Sequence, residues 1–152
     1  RDSDVTGIPL VLFRSLLAEV RQRELEAAAR LLGLSHHPVL GYGDSGMKGW
    51  KSNGLAEVFA NADLGEAAEK IARLIREYRP DVMITYDEKG GYGHPDHVMA
   101  HRAAMAAAGV AAARDHLADS GLAPWRVKKI YHTAWARSRP IGRAHVCTPV
   151  TS

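Results

Sequence analysis

The densest set of reactive side chains in the sequence is Tyr86-Asp87-Glu88-Lys89-Gly90-Gly91-Tyr92-Gly93-His94-Pro95-Asp96-His97. Its last six residues bring together a tyrosine, two histidines and an aspartate. A neutral imidazole offers a lone pair to a divalent metal or relays a proton near neutral pH, and a carboxylate can orient it. Upstream, Val82-Met83-Ile84-Thr85-Tyr86 is a short apolar, β-branched run and predicts a buried strand. Downstream, Val98 to about Leu117 is rich in alanine and methionine and predicts a helix. The histidines are thus expected where a strand's carboxyl end gives way to a helix, the place where open α/β sheets bind ligands. Asp96 suits the N-cap, which makes His97 the first helical residue, and the helix dipole there disfavours imidazolium. His94 lies three residues earlier and need not point the same way. Gly90, Gly91 and Gly93 let the backbone turn tightly against a bound group. Each feature has a plainer explanation as a cap, a turn or a solvated histidine; their coincidence at one strand end argues for a site.

The elements that must position these residues fit one domain. The chain has 152 residues and a 46% apolar composition, without an apolar run near the roughly 20 residues of a membrane span. No signal peptide pattern opens it, and a single cysteine, Cys147, rules out an internal disulfide framework. A cytoplasmic protein is expected. The formal charge of +3 comes from the ends: residues 1–15 and 137–152 hold five arginines and two aspartates, while the body balances. Neither nucleic acid nor a membrane is expected as a partner. Residues 1–15, with one apolar run that could form a strand, and the tail 137–152 look like translated sequencing-adaptor readthrough. They are set aside from the fold, and Cys147 with them.

Between these ends, helix and strand alternate. Leu17, Val20, Ala28 and Leu31 recur at helical spacing over Leu16–Leu32, with Gly33 as the stop. Val39-Leu40 is a minimal strand candidate, and His36-His37 reads as a solvated turn because neighbouring side chains on an extended chain diverge. Gly41-Tyr42-Gly43-Asp44-Ser45-Gly46 matches a G-x-G-x-x-G string, but polar, glycine-rich sequence follows where a dinucleotide site needs a helix at once. Asp63-x-x-Glu66 is a capping box for a helix with the stripe Leu64, Ala67, Ala68, Ile71, Leu74, Ile75 and Tyr78, ended by Pro80. Val127 to Ala134 alternates and predicts another strand. The pattern is α/β with a largely parallel sheet.

The central stretch, with Thr85-Tyr86-Asp87 before it, resembles the PIG-L (LmbE-like) family of zinc-dependent N-acetylglucosaminyl deacetylases. The likeness runs from about Leu16 to Ala136 and includes Arg21-x-x-Glu24-Leu25, Leu40-Gly41-Tyr42-x-Asp44-Ser45-Gly46-Met47 and Arg79-Pro80-Asp81-Val82. Within the family it is greatest to the mycothiol branch, which comprises a biosynthetic deacetylase and a conjugate amidase. The resemblance implies a Rossmann-like three-layer sandwich, incomplete at both ends, with Zn2+ as cofactor and a small amino-sugar substrate. It implies His97 as a zinc ligand, His94 as the group that stabilises or protonates the reacting amide, Tyr92 as a mobile group over the carbonyl oxygen, and Asp96 as the residue orienting the histidines. Arg21, Asp44 and Met47 would line the sugar pocket. The family's Ala-His-Pro-Asp-Asp-Glu type motif, which supplies the remaining ligands and the general base, does not occur here. Residues 16–136 are therefore expected to be a partial deacetylase domain, inactive alone. Two other functions compete: a nucleotide-binding module built on Gly41–Gly46, and a non-catalytic metal site from His97 and His101, four apart on one helical face.

Overall fold

A computed structural model describes residues 10–134 and 146–150, with side chains described for 17–134. The chain divides into two units, Arg1–Leu40 and Gly41–Ser152.

The first unit contains α1, Leu10–Leu32. It begins earlier than the expected Leu16, so the apolar run Leu10-Val11-Leu12-Phe13 is helical and not a strand. Pro9 precedes that run, and neither glycine nor proline interrupts it before Gly33, so nothing stops the helix propagating. The helix ends in a Schellman arrangement: Leu34 N–H donates to Ala29 O (2.9 Å) and Gly33 N–H to Arg30 O (3.2 Å), with Gly33 at φ +68°. Leu17, Val20 and Leu31 remain exposed on it, whereas Ala29 is buried.

In the second unit, α2 (Leu64–Tyr78) starts where the capping box predicts, Asp63 accepting from Glu66 N–H at 2.8 Å. It stops at Arg79, which adopts a left-handed φ of 50° ahead of Pro80. Strand β1 is Val82–Tyr86, α3 is Pro95–Ala112, β2 is Lys129–Ala134 and β3 is Val146–Val150. The sheet order is β1-β2-β3. β1 runs parallel to β2 with Val82 opposite Lys129, and β2 runs antiparallel to β3 with Ile130 opposite Val150. The sheet is thus mixed, the antiparallel pair arising from β3 in the tail segment set aside as adaptor-like.

Helices α2 and α3 meet through alanines. Ala67, Ala68 and Ala72 from one and Ala103, Ala107 and Ala111 from the other are buried, and such small side chains let the backbones approach closely. Met83 of β1 packs on this layer, but Val82 and Ile84 are exposed on the strand's other side. Among the described residues of this unit, α2 and α3 lie on the Met83 side of β1.

Helix α3 ends at Ala112, short of the expected Leu117, for a reason outside its own sequence. The buried Arg76 of α2 donates to the carbonyls of Val110, Ala111 and Ala113, and also to Leu117 and Leu122. A guanidinium at a helix C-terminus satisfies orphan carbonyls and meets the negative end of the dipole. The candidate strand Val39-Leu40 does not form. The only ladder contact nearby among the described residues is a parallel bridge between Gly43 and Val58, at which a Cβ on Gly43 would stand 3.2 Å from Glu57 O. Among the described residues no helix is long and apolar enough to cross a membrane.

Candidate metal and amide-binding site

Strand β1 delivers the chain to Tyr86, and the loop that follows is folded by Asp87. Its carboxylate accepts from Gly91 N–H (2.7 Å) and its carbonyl from Gly90 N–H (2.9 Å). Gly90 has φ +65°, and a Cβ there would lie 2.7 Å from Val98 N and 3.0 Å from His97 Cβ. Only glycine lets this loop press against the start of α3.

The helix start differs from expectation. His94, not Asp96, is the N-cap: its Nδ1 accepts from Asp96 N–H at 3.2 Å, and its carbonyl from His97 N–H and Val98 N–H at 3.1 Å each. Pro95 takes the first helical position, for which its fixed φ is pre-organised, and so moves the helix start two residues earlier. His97 is therefore the third helical residue. Released from capping, the Asp96 carboxylate accepts two amides distant in sequence, Ser45 N–H on Oδ2 (3.0 Å) and Ala60 N–H on Oδ1 (2.9 Å).

In their neutral forms, the hydrogen bonds of the two histidines favour opposite tautomers. The Nδ1 of buried His94 is an acceptor, which in the neutral ring leaves the proton on Nε2. The Nδ1 of His97 lies 3.3 Å from Gly90 O, and a carbonyl can only accept, so in the neutral ring this nitrogen carries the proton and Nε2 keeps a lone pair. The rings are stacked neighbours, with centroids 4.7 Å apart. His97 also lies flat on Tyr86, at 3.9 Å and 6°. Tyr92, 60% exposed, stands edge-on to both histidines at 5.9 and 5.3 Å.

Asp44 joins this group from the other loop. Potential ligand atoms of Asp44, His94 and Asp96 lie within 4.8 Å of one another, close enough to hold one metal ion. The donor chemistry is more selective than the distances. His94 would have to surrender its Nδ1 bond to Asp96 N–H before Nε2 could ligate, whereas His97 already has the tautomer of a ligand. Met47 is half-exposed beyond Gly46 on the same loop. Arg21 lies on α1 in the first unit, where its guanidinium holds Glu24 at 2.9 Å. His101 donates through Nδ1 to Tyr86 O at 2.9 Å, which in the neutral ring leaves Nε2 a lone pair as in His97, and it meets His132 edge-on at 4.9 Å. After Gly46 no α-helix begins until Leu64, so the Gly41–Gly46 string has no helix N-terminus to offer a pyrophosphate.

The loop is braced on its far side by Tyr42, which stacks on Phe59 at 5.2 Å and lies under Lys70 at 4.5 Å. Hydrogen bonding to Glu66, and then to Tyr42, holds the Lys70 ammonium above its ordinary value. Sequence reasoning missed Ser52, Asn53 and Asn61, whose side chains bond backbone groups of this loop. Their signal was a polar, aperiodic stretch of serine and asparagine, residues that readily bond nearby main chain.

A glycine-turned histidine loop at the carboxyl end of a parallel strand, beside carboxylates that could share one metal ion with His94, defines the class: an α/β protein with a candidate metal site. The particular family follows from comparison: residues 9–108 match the model for PIG-L: GlcNAc-PI de-N-acetylase, and the chain belongs to that family. Over 126 residues it is 49% identical to a 1D-myo-inositol 2-acetamido-2-deoxy-alpha-D-glucopyranoside deacetylase 1 of Catenulispora acidiphila, covering 80% of this chain and 39% of the relative. A deacetylase of the same description from Thermobispora bispora is 48% identical over 126 residues, covering 80% of this chain and 41% of the relative. The chain thus spans about two-fifths of the length of the curated relatives it matches. Among solved structures, the conserved protein TT1542 from Thermus thermophilus matches with a TM-score of 0.56 at 29% identity, over 82% of this chain and 47% of that one.

Proposed function

We propose that this chain carries the proton-donating and sugar-binding part of a cytoplasmic zinc-dependent deacetylase that cleaves the acetamide of an N-acetylglucosaminyl inositol. The observation carrying this most directly is the opposed protonation of His94 and His97, which divides one histidine pair into a donor and a ligand. The named activity of the relatives supports deacetylation over conjugate cleavage.

His97 would hold the zinc through Nε2, with the remaining protein ligands coming from the family's Ala-His-Pro-Asp-Asp-Glu type motif, outside this chain. Bound there, zinc supplies Lewis acidity, polarising the amide and making water a stronger acid. The chain's own groups do the rest. His94 presents Nε2–H to the acetamide, where it stabilises negative charge growing on the carbonyl oxygen or delivers a proton to the departing nitrogen. Tyr92 adds a hydroxyl from an exposed, glycine-flanked position. Asp96 orients the pair, since its own amide fixes His94 while its carboxylate grips the Asp44 loop. Asp44 offers directional hydrogen bonds to sugar hydroxyls, and Met47 an apolar face. Acetate and a free amine are the products. The 152-residue chain alone is expected to release no acetate, because one ligand does not make a catalytic zinc site.

The test is a chimera in which this chain replaces the matching part of the Catenulispora acidiphila relative, assayed for acetate and amine. Stoichiometric release of both is expected, and Tyr92→Phe should lower kcat by roughly 10–100-fold with the melting temperature unchanged. A folded chimera that leaves the substrate intact would overturn the function; unchanged rates for Tyr92→Phe would leave Tyr92 an aromatic anchor of the loop.

A further inference from the structure

Asp44 and Met47 sit on a loop without regular structure, yet the loop is closed into a ring of hydrogen bonds. Asp96 Oδ2 accepts from Ser45 N–H at 3.0 Å. The carbonyl of Ser45, a fully buried residue, accepts from Asn53 Nδ2 and from Ser52 Oγ, the latter at 2.7 Å. The carbonyl of Asn53 accepts from Asn61 Nδ2 at 2.8 Å. Asn61 follows Ala60, whose N–H returns to Asp96 Oδ1 at 2.9 Å. Asn53 ties both limbs of the tip: Nδ2 reaches Ser45 O and Gly46 O, while Oδ1 accepts from Gly49 N–H at 2.8 Å. Met47 lies between those limbs. Gly46 fixes the geometry further, because a Cβ there would come within 2.8 Å of both Ser52 Oγ and the Trp50 ring.

We propose that Asn53 is a positioning residue for the sugar subsite, setting Asp44 and Met47 against His94 through this ring, a role that rests on the deacetylase function argued above. Asn53 lies well along the chain from the histidine loop, and its side chain bonds only main-chain groups of its own loop among the bonds described. Its effect on substrate therefore passes through the Ser45 carbonyl and the Asp96 carboxylate. Because the ring closes on Asp96, which shares the first turn of α3 with His97, loosening Asn53 releases the Asp44 loop from the histidines while the α2–α3 packing stays in place. Substrate binding should weaken while the group that donates the proton keeps its place.

Two variants separate polarity from packing. Asn53→Asp keeps the shape and the acceptor for Gly49 but turns a carboxylate oxygen toward the Ser45 and Gly46 carbonyls; Asn53→Ala removes both functions. In the 152-residue chain, amide hydrogen exchange should accelerate about tenfold at Ser45 and Ala60 in both variants, with the amides of α2 unchanged, since about one net hydrogen bond is lost from the ring. In the chimera, KM for N-acetylglucosaminyl inositol should rise about tenfold with kcat within about threefold. Acceleration confined to Gly49, or a KM equal to that of the unaltered chimera, would overturn the proposal. Should the unaltered chimera show no turnover, the functional assignment fails, and exchange at Ser45 and Ala60 alone decides whether the ring exists.

Discussion

Replacing His94 by alanine in the chimera is expected to lower kcat by about 10²–10³-fold while zinc content stays near that of the unaltered protein, the typical cost of removing one positioned donor. The reason is the Nδ1 bond to Asp96 N–H, which commits Nε2 to carrying a proton. The same bond makes His94 a helix cap, so alanine should also cost about 1 kcal/mol of stability. His94→Asn keeps a capping oxygen without a titratable ring and should recover that stability but not the rate. Near-total loss of zinc in both variants would instead make His94 a ligand, joined to Asp44 and Asp96 as their proximity allows.

The largest effect on folding is expected at Arg76. Arg76→Met fills similar space but strips donors from five carbonyls, three of them at the end of α3. A buried network broken in this way should cost on the order of 3–5 kcal/mol, measured by denaturant unfolding of the chimera. Arg76→Lys should restore only part of this, because one ammonium cannot reach the carbonyls a planar fork does. A loss below about 1 kcal/mol in the methionine variant would mean that water replaces the guanidinium at those carbonyls.

Features set by neighbouring residues were legible in the sequence; features set by distant ones were not. Val82–Tyr86 and Leu64–Tyr78 occupy the residues that pattern and capping box predict, because β-branched content, the Asp63 cap and Pro80 all act within a few positions. The glycines of the histidine loop were likewise readable as a turn. Asp96 was misjudged as the cap because its type favours that role, while Pro95, a stronger local signal for the first helical position, was given no weight. Its carboxylate instead serves Ser45 and Ala60, partners 51 and 36 residues away that no local pattern announces. Arg76 lies outside the apolar stripe read along α2 and yet is buried, since its partners lie 34 to 46 residues further along. The antiparallel β3 was not read for a different reason: its segment was set aside as adaptor-like before its strand pattern was weighed.

The central claim, that His97 anchors the metal on which amide cleavage depends, is tested most directly by measuring zinc content and acetate release together. The comparison is between the unaltered chimera and His97→Ala, each after chelation and again after zinc is returned. The account predicts that chelation abolishes acetate release, that zinc restores it in the unaltered protein, and that the alanine variant neither retains stoichiometric zinc nor recovers turnover. Full activity after chelation, or a His97→Ala protein that holds zinc and turns over normally, would contradict it.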